Sequence, residues 1–487
     1  MKHTKESKET LSQSVSFSSL GTIVDKAAAL LGFLILARLL SPNEFGLLAI
    51  ISIFTSLSMI FIEMGMGAAL IYTQGATDKH FETAFWFNLG IGLLLCLAMM
   101  MLAPFVASFF REPNATRVIA VSAVLLPMNA LSLVPHSIIQ KSRQFRSIAK
   151  VQVISTISGV VLAVILAHAG FGVWSLVSNL FVRSTVKAIL TFKAAGWRPH
   201  MYYGRNEFGE LWSYSSYLML SSIVEYLVAN TDKFLIARSF NSSTLGTYDY
   251  ANKLTVLPSN VIIAVLGRVL FPTYASVEIS ETATKNLHIR VLCMVAFITF
   301  PLMMLISAFA DQLVLTVIGG KWFEAIFALK IFGFIYLFRT VGAINGTLYL
   351  SQGATKLQFK ITLLLRLNVL VAIIVGIQFG INGLLIALLI VRIVNLFPAL
   401  YFPGRLIGIS FIDIVRSLMP AFTASGIAYL SVIQLKQIVA YNPQSPVALA
   451  VGVMFFLTIY LLSLALVNPD YLLSHVRQVR EILKWRT

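Results

Sequence analysis

Long runs of apolar residues, broken by short polar clusters, fill the chain from Leu20 to Val467. Roughly 20 apolar residues in a helix cross a hydrocarbon core of about 30 Å. About fourteen runs reach that length, near 18–40, 46–71, 82–110, 117–139, 150–169, 173–193, 211–237, 246–271, 286–310, 323–350, 357–379, 382–403, 413–435 and 446–468. The pattern predicts an all-α polytopic membrane protein. Pro127, Pro258 and Pro301 fall inside these runs, where each removes a backbone hydrogen bond and predicts a bend. The tail YLLSHVRQVREILKWRT places Leu472, Val476, Val479 and Leu483 at helical spacing with basic residues between them, as in a helix lying on the inner membrane surface.

The chain also repeats itself. Leu34–Gly46 reads LILARLLSPNEFG and Phe234–Gly246 reads FLIARSFNSSTLG, so that Ala37, Arg38 and Gly46 recur as Ala237, Arg238 and Gly246. Thr22 to Asp25 align with Ser222 to Glu225, and after one insertion Lys150 and Gly170 align with Lys360 and Gly380. A six-helix unit is thus used twice. Six is even, so both copies enter from one side and make parallel repeats about an axis along the membrane normal, a plan found in transporters. The resulting division is a cytoplasmic segment 1–17, an N-lobe 18–193, a cytoplasmic loop 194–210, a C-lobe 211–403, two further spans in 413–468 and a cytoplasmic amphipathic tail 469–487. A central cleft between the lobes is expected.

Composition agrees: 58% of the 487 residues are hydrophobic and 12% charged, with a mean hydropathy of +0.84. The net charge of +17 sits on alternate loops. Lys141, Arg143, Arg146 and Lys150 lie in one, Lys193, Arg198 and Arg205 in another, and Arg477, Arg480, Lys484 and Arg486 at the end. SPNEFG, HAGFGV, NSSTLG and QFGING, on the opposite side, carry no Lys or Arg. The positive-inside rule then predicts cytoplasmic termini. Basicity of this kind reports topology, with no basic, aromatic-laced patch for nucleic acid. No removable signal peptide is expected, since MKHTKESKET is followed by a full-length span. Cys96 and Cys293 lie within apolar runs, which points to packing; no metal or cofactor site is expected. There is no GxxxxGK[ST] loop for direct ATP use.

Charges within the spans are the candidate chemistry, because burial in hydrocarbon is costly unless they face a cavity or one another. The first span carries Asp25 and Lys26, and the second carries Glu63 at comparable depth. Glu225 is the repeat equivalent of Asp25, and Asp249, Lys253 and Arg268 lie within about 100° of arc on the eighth span. Tyr214, Tyr217, Tyr226, Tyr248, Tyr250 and Asn252 add hydroxyl and amide groups suited to a polar or sugar-bearing ligand. Arg38 and Arg238 at span ends, and the pair Arg183 and Lys187, read more simply as headgroup anchors.

The phrases TAFWFN (83–88), SIIQKSRQFR (137–146), NTDKFLIAR (230–238), YDYANKLTVLP (248–258), RVLFPTYA (268–275), GGKW (319–322) and RTVGAINGTL (339–348) resemble those of bacterial colanic-acid and lipopolysaccharide exporters. These form the polysaccharide transport branch of a superfamily that also holds multidrug extruders and the lipid II flippase. The resemblance covers roughly residues 18–360. It implies two six-helix lobes around a cleft lined by the first, second, seventh and eighth spans, and a substrate of undecaprenyl-pyrophosphate-linked oligosaccharide flipped across the inner membrane by alternating access. In that picture Lys26, Lys253 and Arg268 attract the pyrophosphate. Asp25, Glu63 and Glu225 hold those cations or exchange a proton or sodium ion. A polysaccharide polymerase and its chain-length machinery are candidate partners. The nearest alternative is an ion-coupled antiporter of drugs or organic cations on the same architecture. A membrane glycosyltransferase fits poorly, since no loop is long enough to carry paired catalytic carboxylates.

Overall fold

The computed structural model describes residues 2–73, 75–275, 281–342, 345–438 and 444–484. Within these, the side chains of 2–20, 261–262, 264–275, 281, 283, 347, 476 and 478–484 lie outside the description, and so does the side chain of Arg268. The described residues form helices with no strand. Contacts divide the chain into two compact units, Met1–Gly246 and Thr247–Thr487.

The first unit contains α1 (Lys2–Leu39), α2 (Pro42–Glu63), α3 (Met66–Tyr72), α4 (Asp78–Phe109), α5 (Ala115–Ser122), α6 (Leu125–Lys141), α7 (Phe145–His168), α8 (Val173–Ala195) and α9 (Arg205–Ser239). Here α1 packs along α7, α7 and α6 pack on α8, α4 packs on α6, and α9 crosses α2, α3 and α4. Two of the predicted spans are broken. The second turns at Met64 and Gly65, both left-handed, so Glu63 ends α2. The fourth breaks at Ala123–Val124. Its cause is Pro127, whose ring clashes with the carbonyl four residues earlier.

α10 (Ser242–Ala275) runs from the first unit into the second. The second unit continues with α11 (Glu281–Ala308), the short α12 (Ala310–Gln312) with a wide turn to Ile318, α13 (Ala325–Gly342), α14 (Asn345–Ser351), α15 (Thr355–Gly376), α16 (Gly380–Leu406), α17 (Phe411–Ile438), α18 (Pro446–Val467) and α19 (Pro469–Lys484). Packing of α4 on α6, α6 on α8 and α7 on α8 recurs as α11 on α13, α13 on α16 and α15 on α16. The duplication is therefore structural as well as textual.

Among the described residues nine stretches are long and apolar enough to cross a membrane, and one of them, Thr355–Leu406, spans 52 residues. It is interrupted at Gly380, which has φ of +78°, and its length suffices for two crossings. Gly170, its repeat equivalent, has φ of +83°. Both glycines occur where a helix must stop in a left-handed conformation that other residues resist. α1, α8, α9 and α10 also have the length to cross.

The other repeated glycines have a packing reason. A Cβ on Gly46 would strike the backbone carbonyl of Ser242, and one on Gly246 would strike that of Pro42. Position 42 is the repeat equivalent of 242, so the contact is reciprocal: each copy's helix start lies on the other's glycine. Both starts are capped. Glu44 reaches back to the Ser41 amide at 2.6 Å, and Asn241 Oδ1 accepts from the Thr244 amide at 2.8 Å, each satisfying an otherwise orphan donor. The Ser242 hydroxyl donates to Asn43 Oδ1 across the junction. Of the two repeated arginines, Arg238 lies over the Phe109 ring, 5.0 Å from its centroid.

At the end of the second unit, α19 is held to α11. The Tyr471 hydroxyl donates to the Cys293 carbonyl at 2.8 Å, and the buried His475 ring stacks on Phe297 and Tyr471. Burial lowers the pKa of His475, which favours the neutral, stacked ring.

Candidate functional site

Asp25 sits mid-helix in α1, four per cent exposed. Thr156 Oγ1 on α7 donates to its Oδ1 at 2.5 Å, and Arg183 Nη2 on α8 stands 3.9 Å from the same oxygen. A carboxylate buried among helices costs several kcal/mol unless hydrogen bonds and counter-charge offset it. Thr156 and Arg183 supply both. Three helices thereby converge on one oxygen.

This cluster borders a cavity of about 390 Å³ lined by residues of the first unit. Lys26, Asn129, Ser155, Arg183, Ser184 and Lys187 line it together with Asp25. The charges on its wall are three cations against one carboxylate. Ser184 Oγ donates to Asn129 Oδ1 at 3.0 Å, which orients the amide on α6. Arg183 and Lys187, which the sequence suggests as headgroup anchors, both face this cavity. They lie four residues apart and so share one face of α8, the face turned to α6 and α7.

The other sequence candidates are distributed more widely. Glu63 is exposed at the end of α2 and within electrostatic reach of Lys187; Asp25 is held by Thr156 and Arg183. Glu225 is exposed on α9. On α10, Asp249 is buried and Lys253 Nζ lies 2.7 Å from its Oδ2, the pair expected from their spacing. For Arg268 only the helical backbone lies within the described residues. No group of three His, Cys, Asp or Glu capable of holding a metal occurs among the described residues.

Two of the tyrosines are core residues. Tyr248 and Tyr250 are each one per cent exposed, Tyr250 packing on Trp322 with ring centroids 4.4 Å apart. Tyr214 stacks on Tyr72 at 4.6 Å. The Tyr226 hydroxyl donates to the Ile53 carbonyl at 2.6 Å, tying α9 to α2. Asn252 accepts from the Tyr336 hydroxyl at 2.6 Å. Tyr217 remains exposed.

A second set of polar contacts secures the segment between α8 and α9, which has no regular motif in its sequence. His80 pairs with Glu210 and His200 with Glu82, each at 3.0 Å, and Trp86 Nε1 donates to the His200 carbonyl at 2.7 Å. The exposed Glu207 carboxyl titrates below its ordinary range, first through a hydrogen bond from its own backbone amide and then through one from Tyr202.

Among known proteins, the chain is similar to the lipopolysaccharide biosynthesis protein WzxC of Escherichia coli, 23% identical over 387 residues covering 78% of each chain. It is 28% identical over 289 residues to the succinoglycan biosynthesis transport protein ExoT of Rhizobium meliloti, covering 59% of this chain and 58% of that one. Its fold is similar to that of the lipid II flippase MurJ in an inward closed conformation, with a TM-score of 0.74 at 14% identity over 93% of this chain and 99% of that one. An inward-facing multidrug resistance MATE family transporter matches with a TM-score of 0.53 at 15% identity, over 78% of this chain and 95% of that one. The polysaccharide biosynthesis protein profile matches residues 35–327, more than half of the sequence. The chain is therefore a member of the polysaccharide biosynthesis protein family.

Proposed function

We propose that this protein flips an undecaprenyl-pyrophosphate-linked oligosaccharide from the cytoplasmic to the outer leaflet of the bacterial inner membrane by alternating access, with both termini in the cytoplasm. The observation that carries this reading is the cavity beside Asp25. Three cations and several hydroxyl and amide groups sit within membrane-spanning helices, where such charge is retained for a ligand or an ion. Lys26, Arg183 and Lys187 suit a pyrophosphate, since a cation screened from bulk water attracts phosphate more strongly than one in solution. Asp25 holds Arg183 in place. With Glu63 it is also the proposed carboxylate for exchange of a proton or sodium ion. Glu225, Asp249, Lys253 and Arg268 are retained as charges that the glycolipid meets along its path. The six-helix lobes 18–193 and 211–403 are the proposed moving parts, with a polysaccharide polymerase and its chain-length machinery acting on the product.

The alternative, an antiporter of organic cations, suits this wall less well, because three cations against one carboxylate repel a cationic ligand. Family membership and the resemblance of WzxC and ExoT, by their names proteins of polysaccharide biosynthesis, support the glycan. In a strain lacking its own exporter, the wild-type chain should restore surface polysaccharide. Lys26→Ala should fall about tenfold at equal membrane protein level, the loss of one phosphate contact worth about 1.4 kcal/mol, while Lys26→Arg should retain more. Wild-type export by Lys26→Ala would remove Lys26 from the site.

A further inference from the structure

The second unit contains a cavity of its own. It measures about 420 Å³ and is lined from α13, α14, α15 and α16, the counterparts of α6, α7 and α8. The first cavity balances its cations partly with Asp25. The second has Arg339, Arg366 and Arg392 on its wall, and no Asp or Glu among its described lining residues.

Two buried polar groups border the same space. Tyr349 is four per cent and Asn345 five per cent exposed. The Tyr349 hydroxyl and Asn345 Oδ1 have no hydrogen-bond partner among the described residues, although Asn345 Nδ2 donates to the Ala399 carbonyl at 2.5 Å. A buried hydroxyl without a partner is destabilising, a cost that a ligand accepting its hydrogen bond would relieve. The remaining geometry is fixed. Arg339 Nη1 donates to the Tyr336 hydroxyl at 3.1 Å, and Asn368 Nδ2 donates to Asn395 Oδ1 at 2.8 Å, with Asn395 Nδ2 bonded in turn to the Leu365 carbonyl at 3.1 Å.

We propose that this cavity is an oxyanion site, taking a phosphate, pyrophosphate or carboxylate group between Arg339, Arg366 and Arg392 with the Tyr349 hydroxyl donating to it. Guanidinium groups are permanently charged, weakly hydrated and shaped to grip oxyanions in pairs of hydrogen bonds. Three of them around one space inside membrane-spanning helices favour an anion over a cation or a neutral sugar. The site stands on the second unit's own residues, independently of what the first unit's cavity holds. Its occupant is either a lipid headgroup phosphate or an oxyanion that is soluble or borne by a glycan.

The test uses the purified full-length chain carrying Arg183→Gln and Lys187→Gln, so that the first unit's cavity contributes little, in neutral detergent. Calorimetric titration with inorganic pyrophosphate should show binding. Adding Arg366→Gln and Arg392→Gln should weaken it by about tenfold or more, as expected for the loss of charge-assisted contacts, whereas Arg366→Lys with Arg392→Lys should weaken it less, since the charge survives while the paired hydrogen bonds do not. If the glutamine pair melts early, Tyr349→Phe, which removes one hydroxyl, should still weaken binding about threefold. Repeating the titration in nanodiscs with and without phosphatidylglycerol separates the sources. Competition assigns the site to a headgroup, and its absence to a soluble or glycan-borne oxyanion; either supports an oxyanion site. Pyrophosphate affinity unchanged by the glutamine pair, or no binding before it is introduced, would overturn the proposal.

Discussion

Asp25→Asn should reduce export by about tenfold or more while leaving the melting temperature within about 3 °C of wild type. Asparagine keeps the shape of the side chain, and its amide oxygen can still accept from Thr156, which donates to Asp25 at 2.5 Å. Only the charge is removed. Its attraction to Arg183, 3.9 Å away with a side chain 42% exposed, is screened by water and contributes little to stability. Its effect on the cavity is larger, because Lys26, Arg183 and Lys187 lose the carboxylate on their shared wall and any ion exchange at this position stops. Asp25→Ala should cost stability as well, since it leaves the Thr156 hydroxyl without an acceptor in a buried place. Export by Asp25→Asn at the wild-type rate, measured as surface polysaccharide per unit of membrane protein, would assign Asp25 a purely structural role.

The second large effect concerns the repeated glycines. Gly46→Val and Gly246→Val should each lower the yield of folded protein severely, and Gly46→Ala should already be destabilising. Overpacking a tight contact costs about 1–3 kcal/mol when side chains can move aside. Here the obstacles are the carbonyls of Ser242 and Pro42, which are backbone and cannot. Gly90 and Gly426 have open space where a Cβ would go and lie within helices, so alanine at either should be neutral or slightly stabilising. Thermal melting in detergent distinguishes the two classes, and a Gly46→Val protein melting with wild type would contradict the reciprocal contact.

Residues 34–46 and 234–246 show why much of this architecture is legible in one dimension. A duplicated helix start carries the same small residue twice because each copy packs on the other. Gly170 and Gly380 recur because both stop a helix at positive φ. Asp249 and Lys253 were readable as a pair because an interaction four residues apart is local to one helix.

The cavity beside Asp25 was only half readable. Asp25 and Lys26 stand out as charges in an apolar span, but Thr156 lies 131 residues away in sequence, and its pairing depends on how α1 and α7 rotate against each other. Arg183 and Lys187 carry no sequence mark that distinguishes a cavity wall from a headgroup layer; the packing of α8 on α6 and α7 decides it. In sequence Glu63 reads as an intramembrane charge because the apolar run continues past it. The left-handed turn at Met64 and Gly65 instead places it at a helix end, and the two glycines of MGMG were the available signal. Tyr248 and Tyr250 are buried instead of lining a cavity for a related reason, since an aromatic residue on a central helix fills a core as readily as it lines a cavity.

The most direct measurement is transport by the purified chain in sealed vesicles containing a defined undecaprenyl-pyrophosphate oligosaccharide, followed by enzymatic labelling of glycan on one face, with and without a proton or sodium gradient. Glycan should cross only with the protein present, faster with one of the two gradients, and about tenfold more slowly with Asp25→Asn. Glycan that crosses no faster than in empty vesicles, while an organic cation is moved by the same preparation, would contradict the proposed flipping.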